Sequence, residues 1–264
     1  MKALITFGCS WSLGIGSWYD REDKDLSSRE YKTYSNKAYK DWKTGISSMY
    51  KNSYREILTA RHDYKNVNFA TGGSSNMKQF RFAEEYFNTD DYKKYDEVMV
   101  LWGITSTART DLWSTKKNPD GKYETYFLTE IDEKKEIVKI LREEHYNHDV
   151  EVKRLSTQIQ HWDRYFESIG VKNYWYDTFN HHNYEYNSRN MIMGDKNPRD
   201  LMSNLCIDQG MKLHGDNYHF SNWFLDNDRI KFLLNKKLVN PHSYHPNKQA
   251  GLLLADIIDK FILW

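Results

Sequence analysis

Only two of the 264 residues are cysteine, Cys9 and Cys206. Two thiols do not make a disulfide framework, so the expected compartment is a reducing one. No apolar run approaches the roughly 18 residues needed to cross a bilayer. A single Lys2 precedes a β-like strand where a secretory signal would show a charged segment and then a long apolar one. The chain is therefore expected to be cytoplasmic as synthesised, with a phage particle or lysis as the routes that would carry it elsewhere. Net charge is also nearly absent. The 38 Lys and Arg against 37 Asp and Glu leave a formal +1, which offers no electrostatic footing for a nucleic-acid or membrane partner.

Motifs for small cofactors are missing too. Gly14 and Gly16 lie near Ser10, but the chain has neither Gly-Lys-Ser/Thr nor Gly-x-Gly-x-x-Gly. His181 and His182 with Asp177 have neither helical i, i+4 spacing nor a cysteine partner, so no metal is expected and no cofactor is called for. What the chain does have is aromatic residues, at 16% of the total with 20 Tyr and 9 Trp. Such rings suit sugar-binding clefts and interfaces. Replacing aliphatic residues in the core is the expected fate of most of them, Trp102 included, while Trp11 and Trp18 are equally suited to line a sugar cleft.

Local patterns predict alternating strands and helices. Ala3–Phe7 reads as a first strand running into Gly8-Cys9-Ser10, and glycine lets the backbone turn sharply there. A helix is expected over 47–61, a second strand over Val67–Ala70, and a helix over Asn76–Phe87 capped by Ser74 or Ser75. Glu97–Trp102 reads as a buried strand ending at Gly103, and 110–130 as a loop with an Asn118-Pro119-Asp120-Gly121 turn. Helices are expected from Glu130 to Ser168, broken near Asn147-His148, with His145 and His148 exposed. Gly170 then precedes a fourth strand, Val171–Tyr176, and an amphipathic helix over Pro246–Leu263 closes the chain. No fifth strand can be placed in the irregular 180–240 stretch. The expected class is α/β, a mostly parallel sheet between helical layers, in a single domain over 1–264 with insertions at about 17–44, 110–150 and 180–240.

In a parallel sheet the segments that follow the strands share one edge, where ligands bind. That edge would gather Ser10, Gly73 with Asn76, Gly103 with Thr105 and Ser106, Asp177, and His245 ahead of the last helix. A serine needs a base to become nucleophilic, and His245 is the candidate. Attack on an ester carbonyl creates an oxyanion that needs fixed donors, which backbone N–H groups at glycine turns supply.

Gly8-Cys9-Ser10, Gly73, Gly103-x-Thr105 and His245-Pro246-Asn247 resemble the four blocks of the SGNH/GDSL hydrolases, specifically a divergent branch found in bacteria and tailed phages. The resemblance implies a three-layer, flavodoxin-like α/β/α sandwich with five strands in the order 2-1-3-4-5. It implies Ser10 as nucleophile, His245 as base, and an oxyanion hole from the N–H groups of Ser10 and Gly73. Two departures matter. The family's oxyanion asparagine is Thr105 here, and the aspartate three residues before the histidine is His242. A main-chain carbonyl near His242, Asp177 from the side, or the separate pair Asp216 and His219 are the alternatives for orienting a histidine; the last fits the layout poorly.

The expected activity is ester hydrolysis, with an O-acetyl group on a carbohydrate as the foremost substrate. Asn76, Arg109 and Trp11 are the further candidates for substrate contact, Arg109 through an anionic group if it is not held in an ion pair. The competing expectation is a catalytically impaired fold of this type that binds carbohydrate or serves in a phage particle, with oligomer or virion partners. An acyltransferase would use the same residues.

Overall fold

The computed structural model describes residues 1–15, 17, 50–111, 125–127, 136–178, 186, 188–192, 200–212, 228–241 and 244–264. Apart from Ser17, the 17–44 insertion lies outside them, as do the Asn118–Gly121 turn, Trp18, Trp113, His181, His182, Asp216, His219 and His242.

In chain order the elements are β1 (Lys2–Phe7), α1 (Ser10–Leu13), α2 (Tyr54–His62), β2 (Tyr64–Asn68), α3 (Asn76–Phe87), a 3-10 turn (Asp91–Lys94) and β3 (Glu97–Ile104). β4 (Arg109–Asp111), β5 (Thr125–Phe127), α4 (Glu136–Ile140), a π-helical turn (Leu141–His145) and α5 (His148–Ser168) follow. β6 (Lys172–Asp177), α6 (Leu201–Asp208), α7 (Asp228–Asn235) and α8 (Lys248–Asp259) complete the chain.

The protein is α/β. Its main sheet has four strands, all parallel, in the order β2-β1-β3-β6. β3 is buried from Val98 to Ile104, and its unbroken apolar run is what a strand covered on both faces requires. Successive side chains alternate between the faces. Ala3, Ile5, Phe7, Val98, Val100 and Trp102 pack against Phe80, Ala83 and Phe87 of α3 and Leu155, Ile159 and Phe166 of α5. Leu4, Met99, Leu101 and Tyr176 pack against Leu58 of α2, Leu205 of α6, Leu233 of α7, and Leu254 and Ile258 of α8.

Several boundaries differ from the sequence expectation. β2 starts at Tyr64, opposite Lys2, and Ala70 has already left the ladder, its N–H bound by the Asn68 side chain at 3.2 Å. The described helix before it begins only at Tyr54. β3 runs through Gly103 to Ile104 because both residues stay in register with Tyr176 and Asp177 of β6. The 110–130 stretch contributes β5, which pairs antiparallel with β4.

The 180–240 stretch holds two helices that composition concealed. Asp200 caps α6 by accepting from the Ser203 N–H at 2.9 Å, and Arg229 on α7 donates to both Asp200 carboxylate oxygens at 3.2 Å and to the Ser203 hydroxyl at 2.6 Å. That buried charge pair joins the two short helices. Beside them the Cys206 thiol is pushed up to about 12 by burial. Both cysteines are free and buried. No fifth strand of the main sheet occurs among the described residues; outside β6 run two isolated parallel bridges, Trp175 with Met191 and Asp177 with Asp200.

Helix starts follow their caps. The side chains of Ser75, Asn147 and Asn247 accept from the N–H groups of Lys78, Val150 and Ala250. The expected break at Asn147 is thus a cap. Among the described residues no helix is long and apolar enough to cross a membrane.

Candidate functional site

The turn that follows β1 is set by a close approach. Gly8 has φ 148°, and a Cβ on it would collide with the Ser12 side chain; a Cβ on Gly103, across the ladder on β3, would collide with the same hydroxyl and with Tyr176. Both strands need glycine because Ser12 fills the gap between them. Beneath the turn the Ser12 hydroxyl hydrogen-bonds Tyr176 at 2.8 Å, and Tyr176 hydrogen-bonds Tyr54. Burial pushes both phenols above their ordinary range, so they remain neutral bonding groups.

Three links, made of five hydrogen bonds, fasten the turn after β2 to this one. The Thr71 N–H donates to the Gly8 carbonyl at 3.1 Å. Gln79, on the first turn of α3, accepts from the Gly8 N–H at 2.9 Å and donates to the Ser74 hydroxyl at 2.5 Å. Arg109 donates to the Ser74 carbonyl at 3.4 Å and hydrogen-bonds Cys9, with burial drawing its pKa down. Among the described residues the backbone N–H groups of Ser10 and Gly73 engage no acceptor.

The turn after β3 is tied in by Asn76, the first residue of α3. Its Nδ2 donates to the Thr105 carbonyl and its Oδ1 accepts from the Thr105 N–H, both at 2.9 Å. The Asn76 carboxamide thus positions Thr105. The Thr105 hydroxyl is buried and has no hydrogen-bond partner among the described residues. The expectation for Trp11 is corrected. It is only 3% exposed and belongs to the core under α2 and α8, so its ring does not line a cleft.

His245 sits on a loop held at several points. The Asn240 N–H donates to the His245 carbonyl at 2.9 Å, Tyr244 N–H to Asn240 at 2.8 Å, and Asn247 Nδ2 to the Lys237 carbonyl at 2.7 Å. The helix that follows this loop is tied to the end of α1 through Asn52 and Ser53. Gly14, which ends α1, abuts Ser53, and Gly251 on the first turn and a half of α8 abuts the carbonyl of Asn52. His245 is half-buried with its Nδ1 inside, and Ser10 is 8% exposed. No hydrogen bond joins Ser10 to His245 among the described residues. Asp177 stands at the same edge, in register with Ile104, and is buried; it accepts from the Tyr186 hydroxyl at 3.3 Å.

No family model matches this chain, and comparisons with curated proteins and with solved structures return no match.

The residues the sequence pointed to are therefore connected as follows. Ser10, Gly73, Asn76, Thr105 and Arg109 belong to turns bonded to one another, His245 lies on the loop before α8, and Asp177 accepts from Tyr186. Among the described residues no group of three or more His, Cys, Asp or Glu is placed to hold a metal. The glycine spacing located the turns, but the residues that bolt them together, Ser12, Tyr54, Gln79 and Tyr176, carry no local signal. Gln79 reaches Gly8 across 71 positions and Tyr176 reaches Ser12 across 164.

Proposed function

We propose that this chain is a serine esterase of the SGNH/GDSL type that removes an acyl group, foremost an O-acetyl group, from a carbohydrate. The observation that carries the reading is the set of donors around the fastened turns: among the described residues the N–H groups of Ser10 and Gly73 meet no acceptor and the buried Thr105 hydroxyl meets no partner. Donors left unfilled beside a serine are what a developing oxyanion needs. In this reading the Ser10 Oγ attacks the acyl carbon while His245 takes the hydroxyl proton. The tetrahedral intermediate collapses as His245 protonates the departing alcohol. Water, deprotonated by the same imidazole, then releases the carboxylic acid and restores Ser10. Asp177, which already accepts from Tyr186 through Oδ1, would orient the imidazole through a remaining lone pair. No cofactor is called for.

The fold proposed to go with this function is the three-layer, flavodoxin-like sandwich, in one domain over 1–264 with the three insertions. The described order β2-β1-β3-β6 corresponds to the first four places of 2-1-3-4-5, and the bridges at Met191 and Asp200 lie where a fifth strand would. Action in the cytoplasm, or on a phage particle, belongs to the proposal as well.

A second reading is favoured by one observation: among the described residues no hydrogen bond joins Ser10 to His245. It holds that the chain is an impaired member that binds carbohydrate or builds a particle. A fluorophosphonate probe followed by mass spectrometry separates the two. Labelling of Ser10 in the wild type, lost in Ser10→Ala, is the expected result. An unlabelled wild type overturns the esterase reading.

A further inference from the structure

A second polar cluster stands on the turn that carries Thr105. Thr107 lies two residues further on, at the tip of the turn closed by the Arg109 N–H bonding the Ser106 carbonyl at 3.1 Å. Its hydroxyl is 3.0 Å from the Tyr146 hydroxyl and 3.4 Å from Nδ1 of His148, and Tyr146 and His148 are themselves 3.1 Å apart. The same turn reaches back through Arg109 to Cys9 and Ser74. The triangle therefore stands beside the Ser10 turn. Tyr146 is half-buried and His148 is exposed, so it faces outward.

A ring of these three groups cannot satisfy itself. An imidazole Nδ1 either accepts or donates, never both. With Nδ1 accepting, Tyr146 donates to it and Thr107 donates to Tyr146, which leaves no proton for the third and longest edge and both Thr107 lone pairs unused. With Nδ1 protonated, it donates to Tyr146, Tyr146 donates to Thr107, and the Thr107 proton has no place in the ring. Nδ1 can instead exchange its bond with Thr107 and leave the spare proton on Tyr146, so in one state the pair of hydroxyls offers a lone pair and in the other a proton. The ligand group that answers both is a neutral hydroxyl, which also donates and accepts. An anion only accepts, and the charge of Glu151, one turn along α5, already weighs against negative charge at Tyr146, whose phenol is kept neutral mainly by burial.

We propose that Thr107, Tyr146 and His148 form a subsite for the hydroxyl groups of a neutral sugar, the alcohol half of the ester. The proposal rests on the esterase reading for the word ester, and on the triangle alone for the sugar. The Tyr146 ring adds an apolar face against which a sugar ring can lie.

The test is saturation-transfer NMR with the methyl glycosides of glucose, galactose, xylose and N-acetylglucosamine. Wild type, Tyr146→Phe, Thr107→Val and Thr107→Ser are compared, each checked for folding by circular dichroism. At least one glycoside is expected to bind the wild type, and about tenfold more weakly Tyr146→Phe and Thr107→Val, the size of one lost neutral hydrogen bond. Thr107→Ser, which keeps the hydroxyl, binds as wild type does. If no glycoside binds the wild type, if the affinity is unmoved in Tyr146→Phe and Thr107→Val, or if Thr107→Ser loses as much as Thr107→Val, the subsite is overturned. Labelling of Ser10 reads the other proposal separately. Labelling without glycoside binding removes the subsite alone, and binding without labelling removes the esterase alone.

Discussion

The two faces of the sheet are packed in different materials. On the α3 and α5 side, Trp102 stacks between Phe7 at 4.4 Å and Trp175 at 4.6 Å, with Phe80 and Trp162 close by. On the α2 and α6–α8 side the core is mostly Leu, Ile, Met and Ala, with Trp11 among them, and is interrupted by polar groups that bond one another: Tyr54, Tyr176 and Ser12 under the Ser10 turn, and Asp200 with Arg229 and Ser203. The difference accounts for much of the aromatic excess. The rings at Phe7, Phe80, Phe87, Trp102, Phe166 and Trp175 are core material, and the buried tyrosines of the other face serve through their hydroxyls. One face is held by ring contact, the other by aliphatic packing with polar joints.

The largest effect should come from the aromatic face. Trp102→Ala is expected to cost about 3–5 kcal/mol in urea unfolding, since the cavity would sit among rings that cannot collapse into it. Trp102→Phe keeps the stacking and removes an indole N–H that has no partner among the described residues, so it should cost well under half as much. Equal losses for the two variants would mean that ring contact does not hold this face.

The polar joints come next. Asp200→Ala strands the Arg229 guanidinium in the core and should cost about 3–5 kcal/mol, towards the lower end because two short helices can part. Asp200→Leu together with Arg229→Met should recover most of that loss. A double variant as unstable as the single one would show that the pair is needed for more than its own neutrality. The smallest effect belongs to Tyr176→Phe, at about 1–3 kcal/mol, because it leaves the hydroxyls of Ser12 and Tyr54 buried without their common partner. The same variant should slow fluorophosphonate labelling of Ser10, whereas Trp102→Phe should not, which would sharpen the contrast between the faces.

How much of this could be read beforehand depended on distance along the chain. β1 and β3 were legible as apolar runs, α3 and α8 as amphipathic periods, and the start of α5 from Asn147. These are signals contained within one element. α6 and α7 were not, because each is only eight residues long inside a stretch rich in His, Asn and Tyr, and α6 buries five of its eight residues, which blurs any polar face. At the candidate site the glycine turns were visible. The bonds that arrange them were not, since Asn76 meets Thr105 across 29 positions and addresses its backbone, so no side-chain type at Thr105 announces the contact.

The two isolated bridges outside β6 bear on how copies of this chain meet. A long bare strand at the margin of a sheet invites a neighbouring chain to zip onto it. Here the Trp175 N–H is bound by Asn190 and the Ile192 N–H binds the Trp175 carbonyl, so an incoming strand would first have to displace 190–192. The opposite margin, β2, is five residues long and carries Lys65, Asn66 and Asn68. With one margin occupied and the other short and polar, extension of the main sheet from one copy to the next is disfavoured at both described ends.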